Sequence, residues 1–321
     1  MYEKTFYYHN PMTNEDPTYK NCINNNGMIT SCEGQDILSR RDILSSAIVT
    51  SCIFTSLTTT DNGAAISFTQ GDTLSVDLCT FSDCTAPHAS GWYNGGGAVY
   101  STAGSLLSLT SSTFVRCSTT SFGGGLLATK DLLNVSISFC SFFHCTADPG
   151  GAVSLFYGPS STFISSRFIS CASYLAGGGI YYDCTSNSAL FCLSDSLFAH
   201  NTAESNGNPL RGGGAFEDYR YYLYTSKYSF SFFTENTAPN GKGNDISIYN
   251  NELHTENIQH CFTTTTSHSL WNTKYDGYDN WLPMTRNKVK SFIPIAGVLY
   301  ICTYIKRDMI LMLINCNIFI A

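Results

Sequence analysis

Apolar and polar residues alternate over short stretches of this chain, as in Leu74-Ser75-Val76-Asp77-Leu78 and Val135-Ser136-Ile137-Ser138-Phe139. A period of two places alternate side chains on opposite faces of a β-strand. The stretches are short and bounded by glycine, serine and asparagine, so each predicts a strand of a few residues followed by a turn. Glycine triplets at 95–97, 123–125, 177–179 and 212–214 would break a helix and suit turns with positive φ.

The strands belong to a longer repeat. Phenylalanine recurs at Phe54, Phe81, Phe114, Phe142, Phe168, Phe198 and Phe233. Three residues later stand Leu57, Cys84, Cys117, Cys145, Cys171, Asn201 and Asn236. A glycine-rich turn then closes on Ile66, Val99, Leu127, Val153, Ile180, Phe216 and Ile246. From the closing residue to the next phenylalanine the step is 15 in the first four units (66 to 81, 99 to 114, 127 to 142, 153 to 168), then 18 and 17. From Cys/Asn to the closing residue it varies between 8 and 15. One arc held constant while another takes insertions is the signature of a solenoid, in which the stacked arc keeps register and a solvent-facing turn is free to grow. The period and the strand pattern predict an all-β chain folded as a right-handed parallel β-helix of about seven to eight coils. Gly34-Gln35-Asp36-Ile37 resembles Gly243-Asn244-Asp245-Ile246, and Phe262 follows Ile246 by 16, so the solenoid is expected to run from near 28 to near 268.

Aligned coils turn positions into columns. The phenylalanines form an interior aromatic stack. Cys84, Cys117, Cys145 and Cys171 continue into Asn201 and Asn236, an amide ladder beside turn carbonyls. A second small column, Cys52, Cys79, Ser112, Cys140, Ser166, Ser196 and Ser231, lies two residues before each phenylalanine. The chain holds 14 cysteines and no CxxC pair, which argues against zinc ribbons and redox motifs. Two readings of the columns stand open. Same-column cysteines about 4.8 Å apart are within disulfide range, but their side chains point the same way, which favours buried thiols. No histidine falls in these columns, so they carry no metal expectation.

Composition narrows the class. Charged residues make up only 13% of the chain, too few for the solvated faces of a helical bundle, and a net charge of −7 argues against nucleic acid as partner. The N-terminus shows no apolar signal segment.

The repeat resembles that of the chlamydial polymorphic outer membrane proteins and of related surface proteins of parasitic protists such as trichomonads. The resemblance rests on Gly96-Gly97-Ala98-Val99, Gly150-Gly151-Ala152-Val153, Phe198-Ala199-His200-Asn201-Thr202-Ala203 and Phe233-Thr234-Glu235-Asn236-Thr237-Ala238, and covers roughly 46 to 262. It implies a right-handed β-helix exposed at a cell surface or outside the cell, serving adhesion or antigenic display, with a host-cell or extracellular protein or glycan as partner. It carries over no catalytic residues or cofactor. The chain departs from the bacterial pattern by preferring Cys to Asn.

The rival class is a polysaccharide-active β-helix enzyme, pectate lyase-like or polygalacturonase-like, which needs carboxylates converging on one exposed sheet. Asp72, Asp77, Asp131, Asp148, Asp183, Asp195, Glu217 and Asp218 fall in different registers. The residue two after each phenylalanine gives Ser56, Asp83, Arg116, His144, Ser170, His200 and Glu235, a polar column of mixed sign in which Asp83 and Arg116 can pair across one coil. His144 and His200, two coils apart at about 10 Å, are too far to share a metal. A non-enzymatic scaffold without cofactor or metal is therefore the expectation.

Candidate contact residues sit in the longest turns, 85–95 and 202–212, which carry Trp92, Tyr93 and Arg211. The run Tyr219-Arg220-Tyr221-Tyr222-Leu223-Tyr224, with Tyr228, adds aromatic side chains on both strand faces. Asn134-Val135-Ser136 reads as a glycosylation sequon in a strand. The chain divides into an N-terminal segment (1–45), the β-helix (46–268) and a tail (269–321). In the tail, Phe292 to Ile305 is uncharged, interrupted by Pro294 and followed by Lys306 and Arg307. It is shorter than the roughly 20 residues of a spanning helix. A weak membrane anchor, a cap on the solenoid end and a non-native tail remain open for it.

Overall fold

The computed structural model describes residues 46–87, 94–129, 132–157, 159–184, 189–204, 212–220, 225–238 and 243–249, with Cys261 and short strands at 5–7, 28–30, 36–37, 41–43, 258–259, 262–263, 270–273, 279–281, 292–295, 298–304 and 309–313. Every regular element among them is a β-strand. The chain divides into two compact units, Met1–Met284 and Thr285–Ala321.

In the larger unit a full coil, of which five are described, lays down four short strands, and like strands pair in parallel with the coils before and after. In one coil these are Val99–Ser101, Leu106–Thr110, Thr113–Val115 and Ser118–Thr119. They belong to sheets of ten, eight, nine and five strands, called here the first to fourth. The result is a parallel β-helix. An antiparallel strand, Asp279–Trp281, closes one edge of the first sheet against Leu270–Thr273. Thr5–Tyr7 and Met28–Thr30 form a separate antiparallel pair.

Three left-handed corners turn the chain. One follows the second sheet, at Ser51, Leu78, Ser111, Phe139, Ser165, Asp195 and Phe230, with φ between 47 and 55°. Another follows the third sheet, at Ser56, Asp83, Arg116, His144, Ser170, His200 and Glu235, with φ between 50 and 55°. Both corners are built without glycine, although this region is sparsely populated by other residues. The third corner is glycine in every described coil, as at Gly150 (φ 71°). The glycine after it answers to a second constraint. A Cβ on Gly151 would lie 2.2 Å from the Gly178 carbonyl of the next coil, so the coils could not approach.

The ladders correct the register read from sequence at three places. Val99 pairs with Leu126 and Leu126 with Val153, so Leu126 closes that turn and Leu127 faces outward. Ile37 pairs with Phe54, in the phenylalanine column, while Arg41 takes the closing position opposite Ile66. Thr263, not Phe262, continues the column from Phe233. At Leu126-Leu127 two adjacent apolar residues follow the glycines, and only backbone pairing chooses between them.

The constant arc is also shorter than 15 residues. From the second sheet to the third the step is seven in every coil, as from Leu74 to Phe81, Val135 to Phe142 and Ser226 to Phe233. From the first sheet to the second it grows from eight (Val99 to Leu107) to nine (Leu126 to Val135) and eleven (Ile180 to Phe191). A corner made of one left-handed residue leaves no room for insertion, whereas the open loops do.

The smaller unit holds Phe292–Ile295, Val298–Tyr304 and Met309–Leu313 as a three-stranded antiparallel sheet. Among the described residues no helix is long and apolar enough to cross a membrane.

Candidate binding surface

The interior columns set what is left to face solvent. Phe54, Phe81, Phe114, Phe142, Phe168, Phe198 and Phe233 are buried and stacked, with ring centroids 4.6–5.1 Å apart and planes within 12° of parallel. Offset stacking at this distance follows from the strand spacing.

The cysteine and asparagine column performs one task with two chemistries. The Cys145 thiol donates to the Phe114 carbonyl one coil back (3.8 Å), and Cys171 donates to Phe142 (3.6 Å). Asn201 Nδ2 donates to Phe168 (2.8 Å) and Asn236 Nδ2 to Phe198 (3.1 Å). Asparagine adds an acceptor: Asn201 Oδ1 receives the Cys171 backbone N–H and Asn236 Oδ1 that of Asn201, both at 3.0 Å. The second small column repeats the logic, with Ser196 Oγ donating to the Ser194 carbonyl (2.9 Å) and receiving the Ser166 N–H (3.2 Å).

The ten described cysteines whose state is defined are free, and all but the half-buried Cys192 are buried. Burial raises the Cys117 and Cys145 thiols well above the usual range, and hydrogen bonding to Cys117 does the same to Cys84. These side chains are small donors with little thiolate character, hence little reactivity.

Three carboxylates are buried as well, and one of them, Glu217, lies on the outer side of the first sheet in register with Tyr181. Glu217, Asp218 and Asp245 are fully buried. Glu217 Oε2 accepts the Gly212 N–H (2.7 Å), Asp218 Oδ2 the Tyr228 hydroxyl (2.7 Å), and Asp245 Oδ1 the Asn236 amide (3.0 Å). Tyr228 is thus an interior residue and not part of an exposed aromatic run. Among the described residues no group of three His, Cys, Asp or Glu is placed to hold a metal ion.

The exterior has unlike faces. The polar corner column pairs Arg116 with Asp83 in a two-pronged contact (2.7 and 2.9 Å), and His200 with Glu235 (3.2 Å). The Arg116 guanidinium, helped by Ser82, holds the Asp83 carboxyl below its ordinary value. On the first sheet the outer face is aromatic. Leu127, Phe156, Ala176 and Tyr181 form an apolar cluster separate from the interior, with Tyr100, Phe122, Leu175 and Tyr219 half-buried against it. Phe122 meets Phe156 edge-on at 4.6 Å, and Phe156 lies 5.4 Å from Tyr181. Strand pairing places Phe156, Asp183 and Tyr219 in one column. Asp148, in the turn beside this face, has its carboxyl raised by burial.

Of the sequence-predicted contact residues, Tyr219 joins this cluster. Trp92, Tyr93, Arg211, Tyr221, Tyr222 and Tyr224 lie outside the described residues. The described chain resumes at Asn94 and Gly212, before the first-sheet strands Val99–Ser101 and Phe216–Arg220. Sequence reading missed Tyr100, Phe122, Phe156 and Tyr181. With the closing position set at Leu126, the rule of alternation would have put Tyr100, Leu127 and Tyr181 on the outer face. Asn134 is exposed at the start of its strand, and its amide donates to the Ser105 carbonyl (3.0 Å). Comparison with family models, curated proteins and solved structures found no match to this chain.

Proposed function

We propose that the chain is a non-enzymatic β-helix scaffold displayed at a cell surface, which binds a protein or glycan partner through the aromatic outer face of its first sheet. The reading rests on one observation: Tyr100, Phe122 and Tyr219 stay half-buried against an apolar cluster outside the core. Aromatic rings at a rim of polar turns suit stacking on sugar rings or seating protein side chains. The likeness of the repeat to polymorphic outer membrane proteins supports display and adhesion. The buried carboxylates are engaged in hydrogen bonds within their own coils, and this favours binding over hydrolysis.

The test is a binding screen of the purified chain against immobilised glycans and host-type cells, repeated with Tyr219→Ala and Phe122→Ala. Binding weakened about tenfold or more by both, with the β-sheet circular dichroism retained, supports the reading. Binding that survives both substitutions, or cleavage of a glycan by the wild-type chain, overturns it.

A further inference from the structure

The outer face of the second sheet differs from the aromatic face. Its outward positions are mainly hydroxyls, such as Ser108, Ser136 and Thr162, in strict register from strand to strand. Among the described residues two charges interrupt it, Asp77 and Lys227. Asp77 lies on the second of the eight strands and Lys227 on the seventh. Five strand steps separate them, about 24 Å, so they cannot meet within one chain. Neither has an ion-pair partner among the described residues. Leucines follow the same rule: Leu106 lies on the third strand and Leu190, 40% exposed, on the sixth.

We propose that this face binds a second copy of the chain, face to face, about a two-fold axis parallel to the strands and midway between the fourth and fifth. Such an axis sets the second strand of one copy on the seventh of the other, and the third on the sixth. Leu106 then lies opposite Leu190. Lys227 comes opposite Ser75, two residues from Asp77 on the same strand, about 7 Å along it and within the reach of a lysine side chain. The contact is isologous, so each dimer contains the Asp77–Lys227 pair twice. Strands of five residues stacked about 4.8 Å apart give a footprint of about 500–600 Å² per copy, the lower end of specific interfaces. Ile164, 37% exposed between these elements, gains cover in the same step.

Light scattering on the full chain across a concentration series tests this with Asp77→Lys and Lys227→Asp, both at solvent-facing positions. The wild type is expected at twice the chain mass. Each variant alone repels its own copy and is expected to self-associate at least about tenfold more weakly. Mixed one to one, the two variants restore both attractive contacts, and the dimer mass should return. Should either variant lose its circular dichroism, Ser136→Glu beside the axis makes the same test by bringing two like charges together. A wild type monomeric up to tens of micromolar, variants that associate normally, or a mixture that stays monomeric while both components are folded would each overturn the proposal. A wild type that stays monomeric yet adsorbs to a hydroxyl-rich polysaccharide would overturn it too, and would assign the face to that surface. None of these outcomes depends on the aromatic face.

Discussion

At the corner after the second sheet, the backbone bears strain while the side chain points at solvent. Phe139 has φ 55° and is 61% exposed; Leu78 has φ 54° and is 53% exposed. A left-handed conformation costs a non-glycine residue about 1–2 kcal/mol, and glycine escapes this while losing about 0.5–1 kcal/mol in chain entropy. Phe139→Gly is therefore expected to leave stability unchanged or raise it by up to about 1 kcal/mol. Phe142→Ala, three residues away inside the stack, should lose about 3–5 kcal/mol. Urea unfolding of the two variants decides the matter, and equal losses would show that the corner side chain contributes packing. The thiols behave as protonated donors at the same scale. Burial pushes Cys140 from the usual 9.0 up to about 12 and Cys261 up to about 11. Folding thus favours the protonated thiol, so this contribution is complete below pH 9 and is lost as pH rises from 9 through 11 and 12. The urea midpoint should fall over that window, and Cys140→Ser, which installs the residue found at Ser112 and Ser166 in the same column, should make the fall shallower. An unchanged slope would place the titration elsewhere.

At the scale of the element, length tolerance separates the arcs. The second-to-third sheet step is seven residues around a one-residue corner that also aligns Ser112 and its column mates for hydrogen bonding. Inserting one glycine between Ser111 and Ser112 should abolish cooperative folding or cost several kcal/mol, because it flips the following strand onto the wrong face. The same insertion between Leu132 and Leu133, where the chain already carries one residue more than its neighbour coil, should cost less than about 1 kcal/mol. Thermal melts followed by circular dichroism compare the two, and equal tolerance would refute the distinction. This contrast also explains what the sequence made legible. The phenylalanine stack and the Cys/Asn column stand at fixed offsets across a corner that admits no insertion, so text alignment found them. The closing position stands after a run of two or three glycines with an apolar residue on either side of the register, as at Leu126 and Leu127. There the backbone hydrogen bonds decide, and the slip misplaces Leu127 alone; Tyr100, Phe156 and Tyr181 follow the closing positions Val99, Val153 and Ile180, so alternation by itself places them outside. The left-handed corners are hidden in the sequence: Arg116 and His144 stand in a polar column and Leu78 and Phe139 close alternating stretches, and none carries the usual glycine or asparagine signal.

At the scale of the molecule, each coil stacks only on its neighbours in sequence, so the fold is a linear array and not a single closed core. Arg167 pairs with Ser141 and stands one coil above it, and Ser166 occupies the same column as Cys140. Deleting residues 141–166 removes one coil and joins Cys140 directly to Arg167, leaving the corner residue Phe139 and its successor in place. Phe168 then stacks on Phe114, Cys171 on Cys117 and Ile180 on Leu126, and every column remains populated by a residue type it already holds. The shortened chain should fold to the same β-sheet spectrum, with a single cooperative transition and a smaller denaturant slope in proportion to the area removed. The charges supply an independent check. The deletion removes neither Asp83 nor Arg116, whose pair lies in the coils before it. Deleting 141–160 instead cuts within a coil and brings Ser161, an interior position of the second sheet, to the place of a third-sheet strand, so the columns above and below no longer coincide. That chain should aggregate or lose its spectrum. If both deletions fold alike, the array is not held by register; if neither folds, the coils depend on more than their neighbours. Only the first surviving and the second failing fits a solenoid whose coils are interchangeable units.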